Sequence, residues 1–173
     1  MTWTQFDEYA SDNPEHRSII VFSKSSDQGM TWSDPLRISK HSGDCMDGDE
    51  TVEGAVPAVG PNGEIYVTWT GPNGLVMQKS VDGGETWFAE EKSVAKHYGG
   101  WDLEIPGIYR ANGLPILKCD LSDGPHRGTL YLNWCDQMHG EDNTDSWIMK
   151  SVDGGKTWSE RVKVNQDNTE KHQ

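Results

Sequence analysis

Short apolar or alternating segments, separated by clusters of Gly, Asn and Pro, recur along the chain. Segments such as 65–70 and 75–80 place apolar residues with a period near two between turn-forming residues, which is typical of β-strands. A sustained helical period is found in no segment. The sequence therefore predicts an all-β fold made of many short strands.

The strands group into units that repeat. One complete unit is predicted to have strands at 56–59, 65–70, 75–80 and 86–92, and the next at 115–119, 130–134, 147–151 and 157–164. An earlier unit lacks the first strand: it begins inside its second strand at Thr2 and continues at 18–25 and 31–39. The predicted division is a partial unit at 1–40, complete units at 41–94 and 95–165, and a tail at 166–173.

The motif S-x-D-x-G-x-T-W occurs three times, beginning at Ser25, Ser80 and Ser151. Its Asp and Gly suit a tight turn with positive φ, and its Ser and Asp side chains can bind nearby backbone N–H groups. Its Trp can cover the turn from the next strand. We therefore expect structural roles for the residues of these boxes: Asp27, Asp82, Asp153, Trp32, Trp87 and Trp158.

These boxes resemble the Asp-box, or bacterial neuraminidase repeat, of the sialidase superfamily. The resemblance implies a β-propeller of four-stranded antiparallel blades, with two complete blades and three strands of another in this chain. It also implies a six-bladed ring. Many members of the family are exo-α-sialidases, but Asp-boxes also occur in propellers that only bind partners, so the function has to be argued from the site.

The long connections are predicted to lie at one end of the sheets, opposite the boxes, because neighbouring strands run antiparallel. They span 7–17, 40–52, 95–113 and 136–146 and carry many acidic residues. Loops longer than a connection requires are more often functional than structural. We expect the functional site at this end.

By the resemblance, the site would hold an acid, a tyrosine nucleophile activated by a glutamate, and three arginines that bind the substrate carboxylate. The candidates are Asp102, Glu104 and Tyr109 for catalysis, and Arg17, Arg110 and Trp101 for substrate binding. The Arg-Ile-Pro motif of the family is missing, and Glu104-Ile105-Pro106 reverses its charge. No arginine triad can be assigned.

Each of these candidates has a structural alternative. Asp102 can serve a turn or cap, and Tyr109 can pack as an ordinary aromatic residue. Arg110 can form an ion pair with a loop carboxylate. A separate acidic stretch, 44–50, offers oxygens that suit a hard cation such as Ca²⁺ through Asp44, Asp47 and Asp49, but its spacing is not that of an EF-hand. No cofactor is expected to be required.

The net charge of −13 argues against nucleic acid as a partner, because phosphate binding needs clustered Lys and Arg. No segment is long and apolar enough for a membrane span, and residues 1–6 lack the features of a signal peptide. The family resemblance nevertheless favours a secreted or periplasmic location. Three cysteines, Cys45, Cys119 and Cys135, leave one disulfide open.

The leading hypothesis from the sequence is a sialidase-like glycoside hydrolase, or a fragment of one, that acts on terminal sialic acid or related sugars. The alternative is a non-catalytic Asp-box propeller that binds a glycan or a protein through the same loops. The expected partner is a glycan or glycoconjugate. Because an arc of fewer than three blades exposes apolar faces, we also expect either self-association or the remainder of a larger propeller.

Overall fold

The computed structural model describes residues 1–167 and 171–172, so part of the predicted tail at 166–173 lies outside the described residues. The described chain is all-β: it holds strands, turns and bends, and no helix. None of the described residues therefore forms a helix that could cross a membrane.

Three antiparallel sheets and one short ribbon follow one another along the chain. The first sheet contains β1 (Thr2–Phe6), β2 (Ser18–Phe22) and β3 (Leu36–Arg37). The second contains β4 (Glu53–Val59), β5 (Ile65–Gly71), β6 (Gly74–Ser80) and β7 (Lys92–Ala95). The ribbon pairs β8 (Asp102–Leu103) with β9 (Ala111–Asn112). The third sheet contains β10 (Ile116–Cys119), β11 (Leu130–Asp136), β12 (Asp145–Ser151) and β13 (Val162–Lys163).

In each sheet the strands pair in chain order, as the predicted units require. The strands before each box closely match the predicted ones, but the last strand of every sheet begins later than predicted. After the box Trp the chain makes one backbone bond, such as Phe88 N to Lys79 O at 3.0 Å. The next bond comes from a side chain, Gln78 Nε2 to Phe88 O at 2.7 Å, so the ladder is interrupted there. The box Trp consequently precedes the last strand instead of lying on it.

The three boxes form turns with the same hydrogen bonds. In the second, the Asp82 carboxylate accepts from Thr86 N at 2.9 Å and from Thr86 Oγ1 at 2.5 Å. Ser80 Oγ accepts from Gly84 N at 2.9 Å and donates to Asp82 at 2.8 Å. The Thr86 side chain, followed by its backbone N–H, lowers the pKa of Asp82 to about 2. These hydrogen bonds explain why the motif has Ser, Asp, Gly and Thr at fixed positions.

The second sheet lies between the other two. One apolar cluster joins it to the first sheet and includes Phe22, Trp69 and Val76. Another joins it to the third sheet, with Met77 among Leu132 and Trp134. Alternate residues of β6 thus face opposite neighbours, which is why this strand is apolar on both faces.

Candidate functional site

The long connections form a surface at the end of the sheets opposite the boxes, and we refer to it as the loop end. Its largest segment, 95–113, carries the ribbon and is held between the second and third sheets. His97 joins the two: its Nδ1 lies 2.7 Å from Thr70 Oγ1, and its Nε2 lies 2.9 Å from Cys135 O. Burial lowers the pKa of His97, so the side chain is neutral near pH 7.

A buried ion pair fixes the same segment to the third sheet. Arg161 Nη1 lies 2.9 Å from Asp136 Oδ2, and the Asp136 side chain is fully buried. Arg161 Nη2 donates to Lys96 O at 3.0 Å, and the guanidinium lies over the rings of Trp134 and Tyr98 at 5.2 Å. The loop end is therefore preorganised by contacts that reach into the core.

A cleft of about 560 Å³ opens between the ribbon and the β11–β12 connection. Its size falls within the range of small-molecule sites. Its described lining residues include five with carboxylates and none that is Lys or Arg. The lining residues are Asp49, Gly99, Asp102, Glu104, Pro106, Gln137, Glu141, Asp142 and His172.

Asp49 sets the geometry of the cleft wall. Its Oδ1 accepts hydrogen bonds from the backbone N–H groups of Trp101 and Asp102, both at 2.8 Å. A Cβ on Gly100, which has a φ of +71°, would lie 2.0 Å from the Asp49 carboxyl carbon. Only Gly allows the carboxylate to approach the turn so closely.

Beside the ribbon, three loops bring together a tyrosine, a carboxylate and a guanidinium. Arg110 binds Asp47 through two bonds of 3.0 Å, and the Tyr9 hydroxyl donates to Asp47 Oδ2 at 2.5 Å. Arg110 also lies 5.6 Å from the centroid of the Trp101 ring. We call this group the Tyr9 cluster: Tyr9, Asp47 and Arg110.

The charges within the Tyr9 cluster shift one another's pKa values. The hydrogen bond to Asp47 raises the pKa of Tyr9, because the carboxylate accepts the phenolic proton and disfavours its loss. The hydrogen bond from Arg110 lowers the pKa of Asp47. Nearby, burial raises the pKa of Glu53, and the charge of Asp47 adds to this effect. At neutral pH the Tyr9 cluster therefore holds a neutral Tyr9 phenol and an Arg110 that is paired with Asp47.

Two of the catalytic candidates line the cleft, namely Asp102 and Glu104. Tyr109 does not; its side chain is fully exposed. Trp101, the aromatic candidate for substrate binding, is only 1% exposed, so its ring offers no stacking surface in this structure. Arg17 donates to the carbonyl groups of Pro14 and His16 within its own loop.

The candidate calcium ligands have other partners. Asp47 is bound to Arg110 and Tyr9, Asp49 binds the backbone at 101–102, and Asp44 accepts from Met46 N at 3.1 Å. Within the described part of the chain, no three His, Cys, Asp or Glu side chains are grouped so that they could hold a metal ion. All three cysteines are free.

Sequence reasoning did not single out Tyr9, Gln137 or Arg161. Tyr9 meets its partner across 38 residues of chain, and Arg161 meets Asp136 across 25. Nothing in the local sequence marks such contacts, since they depend on how the sheets stack. A signal was present for Gln137, which lies in a long loop predicted to carry function.

No protein-family model and no curated protein matches the sequence. Among solved structures, the chain is similar to one titled as the crystal structure of a protein of unknown function from Dyadobacter fermentans DSM 18053. The two share 18% identity with a TM-score of 0.54, over 87% of this chain and 45% of the other. The chain thus spans less than half of that protein, and the likeness concerns the fold alone.

Proposed function

We propose that this chain is part of an Asp-box β-propeller that binds a neutral glycan or glycoconjugate in the acidic cleft, without hydrolysing it. The propeller interpretation is supported by consecutive antiparallel sheets that stack face to face, each with a box at the same end. The cleft lies at the other end, where the loops are long and differ from one another.

One observation carries the choice of ligand: five residues with carboxylates line the cleft, with neither Lys nor Arg among its described lining residues. Carboxylates accept hydrogen bonds, as sugar hydroxyls require, and the amide of Gln137 can both donate and accept. An anionic sugar would meet like charges without a guanidinium to bind it. A neutral glycan therefore fits this cleft better than sialic acid does.

The two arginines predicted to bind substrate do not change this balance. Arg110 is already bound to Asp47 through both of its terminal nitrogens, Nη1 and Nη2. Arg17 binds backbone carbonyls of its own loop. Recruiting Arg110 for a sugar carboxylate would leave Asp47 without its partner. Neither residue is a free carboxylate receptor in this arrangement.

The proposal can be tested with immobilised glycans in which each neutral structure stands beside its sialylated form. We expect binding to neutral members, weakened wherever sialic acid is added. Glu104→Gln, which removes one cleft carboxylate, should reduce binding, whereas Glu90→Gln, on the exposed segment before β7, should not. Binding confined to sialylated glycans, or equal binding by both variants, would contradict the proposal. Binding of a basic peptide instead would assign the cleft to a protein partner.

Sialidase-like hydrolysis remains a second candidate because of the Tyr9 cluster. The family resemblance implies a tyrosine activated by a glutamate, whereas here the tyrosine bound to a carboxylate is Tyr9 instead of Tyr109, and its partner is Asp47. Release of 4-methylumbelliferone from its sialoside tests it. Turnover that Tyr9→Phe abolishes and Tyr109→Phe preserves would establish this candidate and refute the non-catalytic one.

A further inference from the structure

A second cavity, of about 450 Å³, lies beside the acidic cleft, and we call it the side pocket. It is lined by the turn of the β5–β6 hairpin, by the end of the acidic stretch at 44–50, and by residues in and after β7. Like the cleft, it is larger than about 300 Å³, the lower limit of typical small-molecule sites. All of these segments lie within the second sheet and its connections, so the side pocket is formed inside the described array.

The cleft and the side pocket meet at Asp49, which lines both of them. Next to it, Gly99 lines the cleft and Gly100 lines the side pocket. The two glycines have φ values of +75° and +71°, a region that other residues rarely adopt. The boundary between the cavities is therefore a turn without side chains, beside a single carboxylate. A ligand can lie across such a boundary.

The Asp49 carboxylate is oriented by the protein and keeps one oxygen for a ligand. Both of the hydrogen bonds that the described residues donate to it, from Trp101 N and Asp102 N, go to Oδ1. The residue is exposed, so Oδ2 can accept a hydrogen bond from a group in either cavity. Asp49 is thus the contact that the two cavities have in common.

The side pocket supplies hydrogen-bond donors, which are scarce in the cleft. In the cleft, the amide of Gln137 already donates to Glu141 O at 2.7 Å. In the side pocket, the exposed amide of Asn73 can donate two bonds. The Lys96 ammonium lies 4.6 Å from the centroid of the Tyr98 ring, a contact that orients it without using all three of its donors. Sugar hydroxyls both donate and accept, so the two cavities together satisfy a neutral glycan better than the cleft alone.

The side pocket is held in shape by close backbone contacts. A Cβ on Gly74 would lie 2.7 Å from Ala95 O, and a Cβ on Gly71 would lie 2.9 Å from Val52 Cγ1. The hairpin turn therefore packs tightly against the segments on both of its sides. At the base of the pocket, His97 has a hydrogen-bond partner on each ring nitrogen. A site that is ordered before binding loses less affinity to conformational entropy.

We propose that the side pocket is a second subsite and that the ligand is a neutral oligosaccharide of at least two units. Neighbouring units lie in the cleft and in the side pocket, and the chain of sugars crosses the turn at Gly99 and Gly100. Asp49 Oδ2 accepts from a hydroxyl group at the junction, and Asn73 and Lys96 donate to the unit in the side pocket. This inference rests on the proposed glycan function and adds the minimum length of the ligand.

The test is isothermal titration calorimetry of the whole chain with neutral sugars of increasing length. The probes are glucose with maltose and maltotriose, galactose with lactose, and N-acetylglucosamine with its β1,4-linked dimer and trimer. Any neutral glycan that the array retains joins them with its own one-unit and two-unit fragments. In the series that binds, the two-unit member should bind about tenfold more tightly than the single sugar, because it gains two or three hydrogen bonds of ordinary net strength.

A paired variant tests whether this gain comes from the side pocket. Asn73→Ala combined with Lys96→Met should remove it, so that two units bind no more tightly than one. The matched control is Asn62→Ala combined with Lys92→Met. Residues 60–63 repeat the Gly-Pro-Asn-Gly sequence of 71–74 in the β4–β5 turn at the box end, and Lys92 is another exposed lysine. The control should keep the gain, and near-ultraviolet circular dichroism checks that both variants are folded.

The outcomes separate this inference from the function on which it rests. If Glu104→Gln weakens binding but affinity does not rise from one unit to two, the cleft acts alone and the second subsite is refuted. A rise that persists in the variant of Asn73 and Lys96 refutes it as well. If neither these sugars nor the neutral glycans of the array bind, the proposed function and the inference both fail.

Discussion

Replacing Arg161 with Met should destabilise the fold strongly, although the residue lines neither the cleft nor the side pocket. The substitution keeps much of the apolar stem and removes the guanidinium. The Asp136 carboxylate, fully buried, then retains only Trp134 Nε1 at 3.0 Å and backbone N–H groups as partners. Breaking a buried pair in this way costs about 3–5 kcal/mol, because an uncompensated charge stays in the interior.

The expected loss can be measured by urea unfolding and by thermal unfolding, each followed by circular dichroism. For a chain of this size each kcal/mol lowers Tm by about 2–4 °C, so the variant should melt about 6–20 °C earlier. Glu85→Gln is the matched control, since it breaks the exposed pair with Lys24 and should cost less than about 1 kcal/mol.

A double variant separates the charge from the packing. Adding Asp136→Asn to Arg161→Met removes the unpaired charge, and we expect it to recover at least about 1 kcal/mol of the loss. If Arg161→Met unfolds within about 1 kcal/mol of the wild type, or if the double variant recovers nothing, the pair does not hold the loop end as described.

Two further predictions follow from the pKa shifts. The pKa of Asp82 falls from 3.8 to about 2 on folding, so its bonds to Thr86 stabilise the fold above pH of about 4 and are lost as the pH falls towards about 2. Asp82→Asn should therefore make the urea midpoint of unfolding less dependent on pH across that range. A variant whose urea midpoint depends on pH as strongly as that of the wild type would contradict the turn assignment. Asp47→Asn should bring the raised pKa of Tyr9 back towards 10. The pKa can be followed by ultraviolet titration, with Tyr9→Phe to identify the signal and Tyr109→Phe as the control. A pKa of Tyr9 that does not move in the Asp47→Asn variant would refute the pairing.

The strands that precede each box could be predicted from the sequence because their signals are local. Alternation of apolar residues and flanking Gly or Asn residues define β5 at Ile65–Gly71 closely. The last strands could not be placed, because there the Ser23 hydroxyl and the Gln78 amide take carbonyls that a ladder would use. Such side-chain competition is not visible in a hydrophobic pattern.

The candidate site was predictable only in outline. The loop end and its acidity follow from loop lengths and composition, and the alternative of an ion pair for Arg110 agrees with its bonds to Asp47. The roles of Tyr9 and Trp101 were not predictable, since each depends on a loop from a different sheet. Burial of Trp101 follows from the ribbon, and two strands of two residues each leave little trace in sequence.

The two ends of the sheets are built by different rules, and this difference bears on how the molecule can vary. At the box end, the same few residues repeat and set the distance between sheets through Gly84 and Gly155. At the loop end, no such motif repeats, and the cleft is held by single contacts such as those of Arg161 and His97. Because the stacking contacts and the cleft share no residue, substitutions at the two ends should have additive effects on unfolding. The lining of the cleft can therefore change while the sheet array is preserved.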